Sequence, residues 1–262
     1  MTISVVSILL LCGLAAGLLA GLLGIGGGLV IVPVLSWLLI AQGAPVDIAV
    51  PMAVATSLAS MLLTSASAIF SHHRLGGMDL DCIRKLGIAV AIGAIAGAVA
   101  ASAVSGQSLA RFFGVVACLI GLRMLLAIKP PVTPLDPRPR GWWLAGPVIG
   151  AVSAMVGIGG GSFNVPYLAR NGYSMAHAVA IASACGYPIA LAGSVTFLVL
   201  GWGRVDWPGS FGWWYGPGVL IIGLGGIITA PVGARLAHRL PASILRRVFG
   251  IFLVLVGLRM LI

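Results

Sequence analysis

Acidic and charged residues are scarce in this sequence. Charged residues make up 8% of the 262 positions, whereas a soluble domain has roughly 25%. The acids are all aspartates, and each of the five lies in or beside an expected loop. Hydrophobic residues make up 60% of the chain, more than a water-soluble core could hide. The composition therefore excludes an ordinary soluble protein and predicts a polytopic protein surrounded by a lipid bilayer.

Signatures of metal, nucleotide and hydrolytic chemistry are also missing. The four cysteines form no CxxC pair and have no histidine at metal-ligand spacing, so neither a zinc site nor a disulfide framework is indicated. Leu29 occupies the third glycine position of a GxGxxG pattern, and no Gly-Lys-Ser/Thr sequence exists. No Ser-His-Asp set appears. We therefore expect no metal, no cofactor and no enzyme activity.

The basic residues carry information through their position. The net charge is +10, and it is concentrated in short loops between apolar runs. This distribution is typical of the cytoplasmic loops of membrane proteins, so we expect no nucleic-acid partner. The first apolar run lacks a preceding basic stretch, and we expect it to be mature structure rather than a cleaved signal.

Two motifs recur in the same order and at nearly the same spacing, which indicates an internal duplication. The cluster Gly-Ile-Gly-Gly-Gly at 24–28 is followed by Val-Pro at 32–33, and it returns at 157–161 with its Val-Pro at 165–166. The sequence Gly-Leu-Arg-Met-Leu at 121–125 returns at 257–261. We interpret 1–262 as a single membrane domain that contains two repeats. The first repeat covers 1–128, a proline-rich cytoplasmic linker covers 129–140, and the second repeat covers 141–262.

Each repeat contains five apolar segments. They are expected at about 3–23, 28–41, 48–71, 86–105 and 109–127, and at about 142–156, 162–170, 175–200, 214–236 and 244–262. The opening pair of the second repeat is too short for two crossings of the bilayer. We interpret it as a re-entrant hairpin that turns at the glycines.

Loop charge predicts the relative orientation of the repeats. Basic residues occur between segments three and four, in the linker, and between the last two segments. These loops share the cytoplasmic side only if each opening pair makes no net crossing, and the repeats are then inverted. The predicted fold class is an all-α integral membrane protein with two inverted repeats. Each repeat is a glycine-broken re-entrant helical hairpin followed by three transmembrane helices.

The duplicated glycine clusters are the strongest candidates for a binding site. In hydrocarbon, a broken helix is tolerated only where it lines a cavity or is buried in protein. The helix after each break begins with N–H groups that lack partners, and these donors, together with the helix dipole, favour an anion. Inverted-repeat transporters often build substrate sites in this way. We predict that a small anionic substrate is bound at Gly26, Gly27 and Gly28 and at Gly159, Gly160 and Gly161.

Glycines also allow helices to pack closely, and that role is the alternative. We favour packing for the isolated GxxxG spacings Gly13–Gly17 and Gly93–Gly97. For the duplicated clusters, each followed by Val-Pro, we favour binding.

Small polar residues in segment three and after the second glycine cluster extend the candidate site. Thr56 and Ser57 open a hydroxyl cluster in segment three, and Ser183 aligns with Thr56 in the second repeat. Hydroxyls in membrane helices usually bond their own backbone, so we expect the rest of the cluster to be structural. Ser162 and Asn164 follow the second glycine cluster. The Asn164 amide is equally a candidate ligand and a candidate cap or interhelical hydrogen-bonding group.

Each repeat has a Gly-x-Gly-Gly-Gly segment followed by Val-Pro and ends with Gly-Leu-Arg-Met-Leu, and the first repeat also has Ala-Thr-Ser at 55–57. This combination of motifs resembles the sulfite exporter TauE/SafE family. The resemblance covers both repeats outside the linker. It implies a multi-pass carrier of the bacterial inner (cytoplasmic) membrane that exports sulfite, or moves sulfoacetate or a related sulfur-containing anion. The sequence departs from the family pattern at Ser183-Ala184, where the second repeat lacks one hydroxyl of a symmetric site.

A membrane subunit that organises a partner protein without transport is the competing interpretation, and a membrane enzyme is the third. A scaffold does not require duplicated helix breaks, and an enzyme requires titratable groups that the segments almost entirely lack. Without buried carboxylates, a carboxylate relay for protons or sodium is not expected. The coupling mechanism therefore stays open between uniport, exchange, and proton transfer by a histidine or by the substrate itself. The oligomeric state also stays open, and a homo-oligomer is one of the alternatives.

Overall fold

The computed structural model describes residues 2–23, 26–75, 79–126, 141–237 and 242–262. Within these residues the chain forms ten α-helices and one two-stranded hairpin, which confirms the all-α prediction. The helices are α1 (Ile3–Leu23), α2 (Gly28–Ala41), α3 (Val46–Leu75), α4 (Leu80–Ala103), α5 (Gly106–Leu125), α6 (Trp142–Val156), α7 (Gly161–Arg170), α8 (Met175–Gly201), α9 (Gly216–Ala237) and α10 (Ala242–Leu261). The predicted linker, 129–140, lies outside the described residues.

Each of the ten predicted apolar segments corresponds to one helix, although some helices begin earlier than their apolar run. The expected start of α4 is residue 86, but α4 begins at Leu80 because Asp79 caps it. The Asp79 carboxylate accepts a hydrogen bond from the N–H of Cys82 at 3.0 Å, which satisfies one of the free donors of the first turn. The Ser105 hydroxyl caps α5 in the same way, by accepting from the N–H of Ser108. Polar first turns of this kind are invisible to an apolar-run criterion.

The segment expected at about 214–236 corresponds to α9, but its first two residues belong to a short strand. Strand β1 (Ser210–Phe211) pairs in antiparallel fashion with β2 (Trp214–Tyr215), and α9 follows at Gly216. Two-residue strands are too short to produce an alternating pattern, so the aromatic residues of β2 read as the start of a helix.

Six of the described helices are long and apolar enough to cross a membrane, and the protein is a multi-pass membrane protein. They are α1, α3, α4, α5, α8 and α9. The helices on either side of the second glycine cluster, α6 and α7, have only 15 and 10 residues, too few for a full crossing at 1.5 Å per residue. Helix α1 has 21 residues and can cross by itself, so the re-entrant path of the first pair stays a prediction.

Close helix contacts interleave the two halves of the chain. Helix α1 packs against α9, α4 against α6, and α5 against α10. A Cβ atom added at Gly13 would lie 2.5 Å from the Ile222 carbonyl oxygen, and one added at Gly97 would overlap the Ala151 carbonyl oxygen. The isolated GxxxG glycines therefore serve helix packing, as the sequence favours.

Helix α3 lies at the centre of this arrangement. Every residue from 52 to 60 is at most 2% exposed, and α3 contacts α2, α5, α8 and α9. Thr56, Ser57 and Ser60 are therefore held inside protein, where each hydroxyl needs a hydrogen-bonding partner.

Candidate functional site

The two glycine clusters meet in the centre of the protein. A Cβ atom added at Gly28 would overlap the carbonyl oxygen of Gly157, and one added at Gly26 would lie 3.1 Å from the backbone nitrogen of Gly159. Segments from the two repeats, far apart in the sequence, are thus in backbone contact, and only glycine permits this approach. Gly24 and Ile25 lie outside the described residues.

Two hydroxyl groups of α3 form hydrogen bonds to other segments of the chain near these breaks. The Ser57 hydroxyl donates a hydrogen bond of 2.8 Å to the Gly157 carbonyl oxygen. The Thr56 hydroxyl oxygen accepts a hydrogen bond of 2.9 Å from the N–H of Tyr215. Both side chains are fully buried, and their role as substrate ligands stays a prediction.

The second break ends in a helix N-terminus with free donors. Gly160 adopts the left-handed conformation, with φ of 73°, and is the N-cap residue of α7. Its carbonyl oxygen accepts from the N–H groups of Phe163 and Asn164, which starts the helix. In the described part of the chain, the N–H groups of residues 159–162 have no acceptor. These free donors therefore lie at the positive end of the α7 dipole.

Three polar side chains without partners surround this helix end. Asn164 is 0% exposed, and neither its amide nitrogen nor its amide oxygen has a hydrogen-bonding partner within the described residues. The buried hydroxyl oxygens of Ser153 and Ser162 are unpaired as well. The position of a Cβ atom on Gly160 lies 3.0 Å from Asn164 Nδ2 and 3.5 Å from Ser153 Oγ. Buried polar atoms without partners cost about 1–3 kcal/mol each, so this group is suited to receive a polar ligand or water.

The first break lacks this set of polar side chains. When the two glycine clusters are aligned, Ser153, Ser162 and Asn164 correspond to Ala20, Leu29 and Ile31 of the first repeat. The two glycine clusters are equivalent in sequence, but the side chains that could recognise a ligand are concentrated at the second one.

A small cavity lies beside the breaks, at the boundary between the two halves. The space that the centre of a water molecule can occupy in it is ≈ 30 Å³, enough for about two water molecules. Gly26, Gly159 and Ser183 line it, together with Met61, Thr64 and Ser65. None of these side chains is charged, so the cavity can accommodate polar solutes only through hydrogen bonds and backbone dipoles.

The structure thus brings most of the predicted site residues together. The glycines of both clusters are in contact, Ser183 lies on the cavity, and Ser162 and Asn164 lie at the N-terminus of α7. Sequence reasoning did not select Ser153, Thr64 or Ser65. The signal for Ser153 is available in hindsight, because it is a hydroxyl on short α6 that replaces Ala20 of the first repeat.

Among the described residues, charged groups lie near helix ends and in loops, away from the breaks. Asp47 accepts from the N–H of Gly106 at 2.6 Å, and Lys85 pairs with Asp81 at 2.6 Å. Burial opposes ionisation of Asp79, but hydrogen bonds from the Cys82 N–H and the Tyr173 hydroxyl lower its pKa overall. Among the described residues, no three His, Cys, Asp or Glu side chains form a potential metal site.

Comparison with known proteins identifies the family. The family model for "Sulfite exporter TauE/SafE" matches residues 9–260. A "Probable membrane transporter protein" of Haemophilus influenzae is 34% identical over 253 residues, covering 96% of each chain. A probable membrane transporter protein of Methanocaldococcus jannaschii is 26% identical over 97% of this chain and 95% of its own length. One of Bacillus subtilis is 30% identical over 78% of this chain and 68% of its own length. No solved structure matches the chain. The protein is a membrane transporter that belongs to the TauE/SafE sulfite exporter family.

Proposed function

We propose that this transporter carries a small sulfur-containing oxyanion, such as sulfite or an organosulfonate, out across the bacterial inner membrane. One observation supports this more than any other: the N-terminus of α7 offers free N–H groups next to the fully buried, unpartnered amide of Asn164. The relatives' names specify no substrate, so the sulfur chemistry rests on the family name and on this set of donors.

The donor set favours an anion over a cation. A helix N-terminus presents roughly half a positive elementary charge, and the N–H groups of 159–162 and the hydroxyls of Ser153 and Ser162 can all donate. No carboxylate lies among the described residues that surround the break. A cation would find few acceptors there, whereas an oxyanion can accept several hydrogen bonds at once.

Movement of the two halves against each other would provide alternating access. The exchanged pairing of α1 with α9 and of α4 with α6 is what a two-fold relation between repeats would produce, and it supports the inverted-repeat proposal. The backbone contact between Gly28 and Gly157 lies where the halves meet. In this proposal Thr56 and Ser57 hold the breaks in register, while Asn164 and the α7 N-terminus bind the anion.

Flux into liposomes that contain the purified protein tests this function. We expect sulfite to enter faster than sodium or a neutral solute of similar size. Asn164→Leu should strongly reduce sulfite flux, to a small residual rate, in a folded protein. Asn171→Leu is a matched control, since it makes the same change at the other end of α7, where the amide already donates to the Tyr167 carbonyl oxygen at 2.8 Å. A preference for sodium, or full sulfite flux in Asn164→Leu, would contradict the proposal.

Thiol labelling tests the inverted orientation. In a background without cysteine, Ser210→Cys should react with an impermeant reagent from outside the cell, and Ser243→Cys only from inside. Labelling of both positions from one side would contradict inversion.

A further inference from the structure

We infer that the transported species is a singly charged oxyanion that still carries one O–H group, and that Asn164 recognises it as both hydrogen-bond donor and acceptor. This inference rests on the proposed function and specifies the protonation state of its substrate. For sulfite, the species is hydrogensulfite in its hydroxyl form.

The unpaired acceptor at Asn164 calls for a donor on the ligand. An amide presents two N–H donors and one carbonyl acceptor, and both kinds of atom are buried and unpaired here. A fully ionised oxyanion has only acceptor oxygens, so it could satisfy the amide nitrogen but would leave the amide oxygen facing lone pairs. An anion with an O–H group satisfies both atoms. Rotation of the amide does not remove this need, because each orientation presents one acceptor.

The neighbouring hydroxyls do not supply that missing donor. Ser153 and Ser162 are themselves without partners among the described residues, so neither one bonds Asn164. The backbone N–H groups of residues 159–162 are donors, and a ligand's ionised oxygens can accept from them. The ligand's own O–H is therefore the group that complements the Asn164 oxygen.

The charge of the surroundings favours a single negative charge on the ligand. In the described part of the chain, the break offers helix and amide dipoles but no cationic side chain, and a second buried negative charge without a counter-ion is strongly unfavourable. Helix α6 has no titratable side chain, and the same is true of α2. Among the side chains that the structure describes, the titratable groups on the other elements that pack around the site are Asp47 on α3, Asp81, Cys82, Arg84 and Lys85 on α4, Tyr167 and Arg170 on α7, and His177, Cys185 and Tyr187 on α8. None of them hydrogen-bonds to Asn164, whose amide has no polar partner among the described residues.

The proton balance of this transport is simple. Sulfite binds a proton in the donor compartment, crosses as hydrogensulfite, and releases the proton to water on the other side to the extent set by the pH there. One proton crosses with each anion, the transported species carries a single negative charge, and no protein carboxylate has to carry the proton. The scarcity of acids within the apolar segments is consistent with such a carrier.

The pH dependence of flux tests the inference. Liposomes containing the whole protein would be given a constant total concentration of sulfite over a pH series that spans its second ionisation, near neutrality, with protein-free liposomes subtracted as background. Flux should fall with the protonated fraction, about tenfold per pH unit above that ionisation. Methanesulfinate has a methyl group in place of the hydroxyl of hydrogensulfite and stays singly charged over this pH series. Its flux should be about five- to hundredfold lower than that of hydrogensulfite and independent of pH.

Two variants separate the substrate's proton from a titrating protein group. His177→Gln removes an exposed imidazole at the start of α8, which bonds the Ser174 hydroxyl, and should leave the pH profile unchanged. Asn164→Leu should bring the ratio of residual sulfite flux to methanesulfinate flux close to one. If Asn164→Leu does not fold, the wild-type pH profile and anion ratio decide the matter.

Each remaining outcome has a definite meaning. Sulfite flux that is constant or rises with pH would overturn the inference while leaving anion transport intact. A pH profile lost in His177→Gln, or an unchanged anion ratio in Asn164→Leu, would also overturn it. Absence of flux for both anions at every pH would instead contradict the proposed function.

Discussion

The hydrogen bond between Ser57 and Gly157 should contribute measurably to the stability of the contact between the two breaks. Ser57→Ala removes a fully buried donor and leaves the Gly157 carbonyl oxygen without its 2.8 Å partner. Loss of such a bond, with a buried acceptor left unsatisfied, costs about 1–3 kcal/mol. We therefore expect the free energy of unfolding to fall by this amount, and the unfolding temperature of the protein in detergent to fall with it.

Ser60→Ala provides a matched control on the same helix. Ser60 is also 0% exposed, but its hydroxyl donates to the Ser57 carbonyl oxygen three residues earlier at 2.9 Å. Hydroxyl bonds of this kind to the same helix stabilise it little, and both variants delete the same atom. Equilibrium unfolding in mixed micelles should rank Ser57→Ala clearly below Ser60→Ala. Equal stability of the two variants would refute the view that this bond joins the halves.

Three further predictions concern Gly160, Thr56 and Asp79. Gly160→Ala should abolish sulfite flux, because the new Cβ lies 2.5 Å from an Ile189 methyl group and 3.0 Å from the Asn164 amide. Gly203→Ala is the control, since Gly203 has nearly the same φ but open space around the position of its Cβ. This variant costs only about 1–2 kcal/mol of backbone strain and should retain flux. Thr56→Val should lower the free energy of unfolding by about 1–3 kcal/mol by leaving the Tyr215 N–H unpaired, and Thr56→Ser should lower it much less. The pKa of Asp79 is lowered in the folded protein, so the stability that its carboxylate contributes is present above pH 3.8, its ordinary pKa, and is lost as the pH falls through the folded-state pKa. Asp79→Asn keeps the cap, and it should reduce the fall in the free energy of unfolding at acid pH.

The number and order of the helices could be predicted from the sequence, because long apolar runs separated by basic loops are dictated by the bilayer. Helix beginnings were less predictable. The first turn of α4 is polar and is set by the Asp79 cap, and the hairpin before α9 depends on pairing between two very short strands.

The candidate site was predictable in part. The repeated glycines and Asn164 could be selected because a broken helix in a membrane requires polar surroundings. The partners of Ser57 and Thr56 lie 100 and 159 residues away along the chain, and a single sequence contains no signal for such pairings. The aligned sequences already show Leu29 and Ile31 where the second repeat has Ser162 and Asn164. The structure was needed to place Ser153 next to Gly160.

A structure of the protein with selenite, a heavier analogue of sulfite with an anomalous scattering signal, tests the central claim most directly. We predict a selenium peak at the N-terminus of α7, with anion oxygens within hydrogen-bonding distance of the Ser162 N–H and the Asn164 amide. A selenium peak found only elsewhere, with the N-terminus of α7 empty, would contradict this claim.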